Sequence, residues 1–254
     1  MQKNIQQRLL ELNRSFYEQF ASSFSATRSG VQPGVSQLLP RIGDETQLLD
    51  VGCGNGTLAR ALAARGFSGQ YWGIDMSRGL ISRAESLSGE NETGRYQFQQ
   101  VDLVQADWPE MLPSPPFDWV TSFAVLHHLP GENFRRQTAS AFAKCIHAKG
   151  RVAVSVWQWH HSPRLRKRVQ DWSQVGLHAD DLDSGDVLLD WRTGGTVGLR
   201  YVHTFSEDSL SSLAESAGFQ VVDSFYSDGK TGDLALYQVW QLEKGIHLGC
   251  ETTG

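Results

Sequence analysis

Hydrophobic residues recur at two different periods along this chain, and these periods separate predicted helices from predicted strands. Near the start, Leu9, Leu12, Phe16, Phe20 and Phe24 follow one another at spacings of three and four. That spacing collects apolar side chains on one face and predicts an amphipathic helix or a helix pair.

Short apolar runs then alternate with amphipathic segments. The runs predict strands at residues 47–51, 70–75, 96–101, 117–123, 151–157, 219–225 and 233–241. The amphipathic segments predict helices at 57–64, 77 to about 87, 133–147 and 206–217, with Ser77 and Ser206 as N-caps. Gly150 is expected to end the helix at 133–147. Strands that alternate with helices predict an α/β fold, in which a doubly wound, mostly parallel sheet carries right-handed crossovers.

Composition narrows the class of protein. The 254 residues suit one α/β domain, and no stretch approaches the roughly 20 apolar residues that span a bilayer. The first 20 residues lack the layout of a signal peptide, so a cytoplasmic protein is expected. Cys53, Cys145 and Cys250 lie far apart and the eight histidines form no H-x-x-x-H pair, so we expect neither a disulfide framework nor a metal site.

Charge is unevenly distributed. The formal net charge is −5, which disfavours nucleic-acid binding driven by overall charge. Residues 149–168 nevertheless contain six basic side chains and no acidic ones, whereas residues 171–190 contain six acidic side chains and no Lys or Arg. The basic stretch fits either a phosphate backbone or a solvated surface.

A glycine-rich turn follows the first predicted strand. Gly52, Gly54 and Gly56 give the spacing G-x-G-x-G, and glycine lets a ligand approach the backbone. The dinucleotide fingerprint is G-x-G-x-x-G, and Thr57 occupies its third glycine position, which weakens a nicotinamide or flavin interpretation. The turn alone also fits a tight connection that binds nothing.

Three aspartates stand at the ends of three successive predicted strands. Asp50 would repel a pyrophosphate and suits a ligand with an ammonium group. Asp75 lies where a carboxylate can accept hydrogen bonds from ribose hydroxyls, and Asp102 is placed to accept from an adenine amino group. Each has an ordinary explanation as a cap or turn residue, but together they line the edge where doubly wound sheets bind ligands.

These segments resemble the successive motifs of class I S-adenosylmethionine-dependent methyltransferases. The resemblance rests on residues 50–56, 73–77, 101–103 and 117–129. It implies a seven-stranded sheet with an antiparallel last strand, and methyl transfer from S-adenosylmethionine. The cofactor contacts expected from it are Arg28, Asp50, Gly52, Gly54, Gly56, Asp75, Met76, Asp102, Leu103, Ser122 and His127.

The segments that flank this core are similar to a narrower family. Residues 16–28, 186–191 and 200–205 resemble the tRNA methyltransferases that esterify 5-carboxymethyluridine at the wobble position, including the methyltransferase domain of AlkB-type fusion proteins. The resemblance implies a tRNA partner and, as in eukaryotic members, a small activator subunit. The candidate catalytic residues are Arg200, Tyr201 and His203.

The chemistry of such an acceptor is compatible with these residues. A carboxylate is already ionised, so it needs cationic and hydrogen-bonding groups rather than a general base. Arg28, Arg200, Tyr201 and His203 offer such groups, although Arg200 and His203 could instead tie the inserted segment to the sheet. Trp157, Trp159 and Trp172 could stack on bases or fill a core.

The predicted organisation is a single methyltransferase domain. It comprises an N-terminal helical lid (1–45), a cofactor-binding core (46–157), a substrate-side insertion (158–205) and a C-terminal helix with strands (206–243). Two other functions stay open, namely a small-molecule methyltransferase with the insertion as its lid, and a cofactor-binding regulator without activity. Acidic net charge favours a metabolite acceptor, whereas the flanking motifs favour tRNA.

Overall fold

The computed structural model describes residues 1–26, 30–86, 94–112, 116–193 and 195–243, without the side chains of residues 22–26 and 193. Arg28 lies outside the described residues. The helices are α1 (Lys3–Ala26), α2 (Pro33–Leu38), α3 (Thr57–Ala64), α4 (Arg78–Glu85), α5 (Glu132–Cys145), α6 (Pro163–Arg166) and α7 (Glu207–Ser216). The strands are β1 (Gln47–Val51), β2 (Gln70–Asp75), β3 (Tyr96–Gln100), β4 (Phe117–Phe123), β5 (Ile146–Trp157), β6 (Val169–Gln170), β7 (Asp186–Thr193), β8 (Thr196–His203), β9 (Phe219–Ser227) and β10 (Ala235–Leu242).

Seven strands form one sheet in the order β3-β2-β1-β4-β5-β10-β9. Strands β1 to β5 pair in parallel, and β10 is antiparallel to both of its neighbours. The predicted doubly wound sheet with an antiparallel last strand is confirmed. The strand order reverses between β1 and β4, which is the switch point at which ligands bind to such sheets.

Two apolar clusters cover the two faces of the sheet. One packs α5 and α7 against the sheet around Trp108, Phe142 and Trp240, and the other packs α2 and α3 around Leu38, Leu62 and Tyr237. Helices on both faces explain why the strands are buried on both sides and read as continuous apolar runs.

Residues 158–205 form more structure than a loop. Strands β6, β7 and β8 make a separate three-stranded antiparallel sheet. Helix α1, which is one continuous helix rather than a pair, packs on β8 and buries Phe16 and Phe20. At Gly198 of β8, an added Cβ would lie 2.3 Å from the Phe20 ring, so glycine allows the helix to approach closely.

The junction between α5 and β5 differs from the prediction. The helix ends at Cys145 and the strand begins at Ile146, so Gly150 lies inside β5 instead of ending a helix. The pairing of β4 with β5 shifts register between Phe117 and Trp119. An added Cβ at Gly150 would lie 2.3 Å from the Ile146 side chain, so glycine accommodates this irregular stretch. No helix among the described residues is long and apolar enough to cross a membrane.

Candidate active site

The glycine turn after β1 is held in a conformation that favours glycine. Gly52, Gly54 and Gly56 have φ values of 79°, 58° and 74°. The amides of Gly52 and Cys53 both donate to the Ile74 carbonyl, at 2.7 and 3.0 Å, which fixes the turn against β2. An added Cβ on Gly54 would meet no atom within 4 Å, since this residue borders an open cleft.

Asp75 connects this turn to the start of α4. Its Oδ2 accepts from the Gly54 amide at 2.9 Å, and its Oδ1 accepts from the Ser77 amide at 2.8 Å. Burial raises the pKa of the carboxyl group. The carboxylate therefore both holds the glycine turn and lines the cleft, next to Met76.

Asp50 lies deeper, at the end of β1. Its carboxylate accepts from the Tyr71 hydroxyl at 2.6 Å and from the Thr121 hydroxyl at 2.8 Å. Burial raises its pKa to about 6, although both hydrogen bonds act in the opposite direction. Asp50 contributes to the cleft lining, so it can present negative charge to a cationic ligand group.

Asp102 faces a residue of the N-terminal helix. Arg14 Nη2 lies 2.8 Å from Asp102 Oδ2, and the Val104 amide donates to Asp102 Oδ1 at 3.3 Å. Leu103 and Val104 continue the cleft wall beside it, and Leu80 lies in the same wall. An apolar wall next to a carboxylate suits a flat heteroaromatic ring with an amino group.

These elements form one cleft along the carboxyl edge of the sheet. The strand order places Asp102, Asp75, Asp50 and the glycine turn in sequence from β3 to β1. The open space at Gly54, the carboxylates and the apolar wall fit a ligand with a nucleoside at one end and an ammonium group at the other. The predicted cofactor residues Asp50, Gly52, Gly54, Asp75, Met76, Asp102 and Leu103 are brought together here.

Three predicted cofactor residues among the described ones do not line this cleft, namely Gly56, Ser122 and His127. Gly56 is the N-cap residue of α3. Ser122 is fully buried in β4, and His127 is fully buried with its ring stacked on Trp157 at 5.3 Å. The His127 Nδ1 also accepts from the Trp157 amide at 3.4 Å. Their side chains therefore support the wall of the site from behind.

Helix α1 closes the far end of the cleft. Asn13 and Tyr17 line it from the helix, and His128 lines it from the turn after β4. The Tyr17 hydroxyl lies 2.7 Å from His128 Nε2, and His128 Nδ1 lies 3.1 Å from the Tyr201 carbonyl oxygen. The predicted site residues did not include Asn13, Tyr17 or His128. Asn13 carried a signal, since it is a polar residue on the apolar face between Leu9 and Phe16.

The structure places Arg200 behind this end of the cleft. Its guanidinium carbon lies 4.3 Å from the centroid of the Trp157 ring, 5.1 Å from Phe16 and 5.4 Å from Trp191. Only 1% of Arg200 is exposed, because these three rings enclose it. The expected direct contact with an acceptor would require one of the rings to move.

Tyr201 and His203 point to the other face of β8. The Tyr201 hydroxyl donates to Asp186 Oδ1 at 2.8 Å, and His203 Nδ1 lies 2.7 Å from the same oxygen. Arg135 of α5 also donates to the Tyr201 hydroxyl at 3.3 Å. Tyr201 thus joins the insertion to α5, and His203 pairs with Asp186 within the insertion. Neither side chain lines the cleft.

Comparison with known proteins identifies the family. A model of the methyltransferase domain family matches residues 24–224. The chain belongs to this family. It is an S-adenosylmethionine-dependent methyltransferase, and the cleft at the switch point of its sheet is the place that fits this cofactor.

Two relatives show how far the similarity of the methyltransferase extends. A protein of Encephalitozoon cuniculi named as a methyltransferase is 27% identical over 212 residues, covering 82% of this chain and 87% of the relative. The tRNA (carboxymethyluridine(34)-5-O)-methyltransferase of Arabidopsis thaliana is 28% identical over 171 residues. That match covers 63% of this chain and only 38% of the plant protein.

Solved structures share the fold. A 1,6-didemethyltoxoflavin-N1-methyltransferase of Burkholderia thailandensis aligns with a TM-score of 0.64 at 16% identity, covering 92% of this chain and 88% of the other. A methyltransferase of Haloferax volcanii, in complex with the Trm112 methyltransferase activator, aligns with a TM-score of 0.62 at 15% identity. This match covers 92% of this chain and 99% of the archaeal chain.

Proposed function

We propose that this methyltransferase esterifies the carboxylate of 5-carboxymethyluridine at the wobble position of tRNA. One observation carries the proposal. The flanking segments in α1 and β8 that resemble this tRNA-modifying family contact each other through Phe16 and Arg200. This contact lies behind the end of the cleft that Asn13, Tyr17 and His128 border, which we call the acceptor end. Relatedness to the Arabidopsis enzyme supports the same acceptor.

The proposed reaction requires no acid or base catalysis by the protein. When bound, S-adenosylmethionine supplies an activated methyl group on a sulfonium. The acceptor carboxylate is ionised at neutral pH, so the protein has to align it and exclude water. Asp75 and the glycine turn hold the cofactor end, while Asn13, Tyr17 and His128 border the end where the acceptor enters.

A basic surface is available for the tRNA backbone. Arg164 and Lys167 are exposed in and next to α6, close in sequence to Trp157 at the carboxyl edge of β5. Arg168 is different, because it lies 3.2 Å from the buried Asp190 carboxylate and has a structural partner. The exposed cations are therefore the better candidates for phosphate contacts.

A metabolite acceptor is the second candidate, and the cleft itself favours it. Apolar residues dominate the lining of the cleft, including Leu10, Val31, Phe123 and Leu129. Arg200 is enclosed by aromatic rings instead of facing the cleft. A small aromatic acceptor would fit such a lining without any nucleic acid.

Mass spectrometry of nucleosides separates the two candidates. Transfer RNA that carries 5-carboxymethyluridine is incubated with enzyme and S-adenosylmethionine, with and without a small activator of the Trm112 type. A methyl ester of the modified uridine is the expected product. If no ester forms with either preparation while a small-molecule extract is methylated, the tRNA proposal is wrong and the metabolite proposal takes its place.

A further inference from the structure

Tyr17 and His128 form a hydrogen-bonded pair in the wall of the cleft. The 2.7 Å separation between the Tyr17 hydroxyl and His128 Nε2 is within the range of a good hydrogen bond. The two rings meet edge to face, with centroids 5.4 Å apart. The pair joins α1 to the turn after β4, so it spans the acceptor end of the site.

The position of the hydrogen in this pair follows from its neighbour. His128 Nδ1 lies 3.1 Å from the Tyr201 carbonyl oxygen, which can only accept. Nδ1 therefore carries a hydrogen, and in a neutral imidazole Nε2 is then the acceptor. The Tyr17 hydroxyl donates to it, so towards any third group the phenol oxygen acts as an acceptor.

Asn13 fixes this arrangement. Its side-chain amide donates to the Tyr201 carbonyl at 3.2 Å and to the His128 carbonyl at 3.1 Å, and its oxygen accepts from the Tyr201 amide at 2.8 Å. Asn13 is only 2% exposed. The imidazole is thus held between a clamped backbone carbonyl and the phenol.

We propose that Tyr17 contacts the carboxylate that receives the methyl group. When His128 gains a proton, the Tyr17 hydroxyl changes from a hydrogen-bond acceptor towards that carboxylate into a hydrogen-bond donor towards it. A protonated imidazole donates from both nitrogens, so Nε2–H points to the phenol oxygen. The phenol hydrogen then turns towards the substrate carboxylate. The inference rests on the proposed function. Because the substrate carboxylate needs this donor, its binding is coupled to the uptake of one proton by His128. The proton stays on His128, since methyl transfer to a carboxylate neither takes up nor releases a proton.

Other titrating groups surround the pair. The His127 ring centroid lies 4.3 Å from that of His128. The Trp157 ring centroid lies 6.0 Å from that of His128 and 4.3 Å from the Arg200 guanidinium carbon. Asp50, Asp75 and Asp102 line the same cleft as the pair, and Arg14 pairs with Asp102. Burial raises the pKa of Asp50 to about 6, so a pH profile has to separate this carboxyl group from the Tyr17–His128 pair.

The variant His128→Gln separates the pair from Asp50, because it removes the imidazole and leaves Asp50 unchanged. A glutamine side chain can place an amide N–H where Nε2–H would stand, and it donates at every pH. Tyr17→Phe removes the contacting group. His147→Gln and Tyr226→Phe are the matched controls, since His147 pairs with Asp118 at the opposite edge of the sheet and Tyr226 is 41% exposed on β9.

The test measures kcat/KM for ester formation on carboxymethyluridine tRNA between pH 6 and 9. For the wild type and both controls, kcat/KM should fall by about tenfold per pH unit once the imidazole has lost its proton, as one linked proton requires. His128→Gln should remove that fall and keep activity at high pH. Tyr17→Phe should lower kcat/KM by about tenfold to a hundredfold. Calorimetric affinity for S-adenosylhomocysteine should stay within about twofold in all variants if they fold as the wild type does.

In the kinetic measurements, the inference is overturned by a flat wild-type profile or by a His128→Gln profile that falls like that of the wild type. Failure of the tRNA proposal looks different, because no ester then forms at any pH. In that case ¹⁵N spectra of the histidine rings decide whether the pair exists. If Tyr17→Phe leaves the His128 ring signals and their titration unchanged, the pair is overturned too. If they shift, the pair exists, and the protonation switch is overturned only for a carboxylate acceptor.

Discussion

At the scale of single residues, Asp75 joins two tasks, because the same carboxylate holds the glycine turn and lines the cofactor cleft. We expect Asp75→Ala to weaken binding of S-adenosylmethionine by about tenfold to a hundredfold. The reason is that a hydrogen bond to a charged group contributes about 1.5–3 kcal/mol. Isothermal titration calorimetry measures the change directly.

Asp118→Ala is the control for this variant. Asp118 is also an aspartate on a strand of the large sheet, but it bonds to His147 and to the Gln47 amide, away from the cleft. The control should bind the cofactor like the wild type. An unchanged affinity in Asp75→Ala would show that this carboxylate does not contact the cofactor.

The pKa of Asp50 has a consequence for stability. Burial raises this pKa from an ordinary value of 3.8 to about 6, so the folded state binds the proton more tightly than the unfolded state. Stability is therefore lost as pH rises from about 4 to 6, by about 3 kcal/mol at about 1.4 kcal/mol per pKa unit. The difference in unfolding free energy between Asp50→Asn and wild type should grow by that amount.

Urea unfolding at pH 4, 5, 6, 7 and 8 checks this expectation. The comparison between variant and wild type at each pH cancels the titration of the other groups. Asp118→Asn, at an exposed carboxylate, should show no comparable growth. A constant difference between Asp50→Asn and the wild type would contradict the raised pKa.

Sequence predicted the residues of the cofactor cleft better than those of the acceptor end. Asp50, Asp75 and Asp102 follow strands, and parallel strands bring their ends to one edge, so their proximity could be derived. The acceptor end depends on which face of β8 each side chain occupies. Alternation along a strand sends Arg200 and Tyr201 to opposite faces, and residues 196–203 gave no strand prediction from which to derive this.

At the scale of elements, the contact between α1 and β8 controls the acceptor end. Gly198→Ala should push the helix away, because the new Cβ would lie 2.3 Å from Phe20 and 2.9 Å from Phe16. Overpacking of this kind costs about 1–3 kcal/mol. We expect protease cleavage within α1 to become faster and cofactor affinity to fall, while the far-ultraviolet circular dichroism stays near that of the wild type.

Gly79→Ala is the matched control for the helix contact. Its added Cβ would lie 3.5 Å from Ala21 of the same helix, which is an ordinary contact. Cleavage rates should therefore match the wild type in this variant. Equal rates in Gly198→Ala would show that α1 does not depend on the close approach at β8.

The predicted elements were most accurate where a strand runs straight into a turn. The bounds of β1, β2, β4 and α3 agree with the prediction, because glycine, proline and capping residues mark them in the sequence. Gly150 misled the prediction for α5, since a glycine after a helical pattern usually ends the helix. Here the glycine serves the irregular pairing of β5 with β4, which is a tertiary contact that local sequence does not encode.

At the scale of the whole molecule, the charge distribution matters more than the total. The net charge of −5 would repel a polyanion, yet Arg164 and Lys167 are exposed near the carboxyl edge of the sheet. Lys144 and Lys149 are equally exposed, but they lie at the end of α5 and near the start of β5, which is the opposite edge. Lys144 and Lys149 therefore serve as a control for whether tRNA binds at one particular edge of the sheet.

The double variants Arg164→Gln/Lys167→Gln and Lys144→Gln/Lys149→Gln change the net charge by the same amount. If tRNA lies across the acceptor side, only the first should weaken tRNA binding, and its plot of log affinity against log salt should become shallower by about two contacts. Filter binding at several salt concentrations measures both quantities. Equal losses in the two variants would indicate a non-oriented effect of net charge. No loss in either would favour the metabolite acceptor, since a small molecule in an apolar cleft needs no cations at the rim.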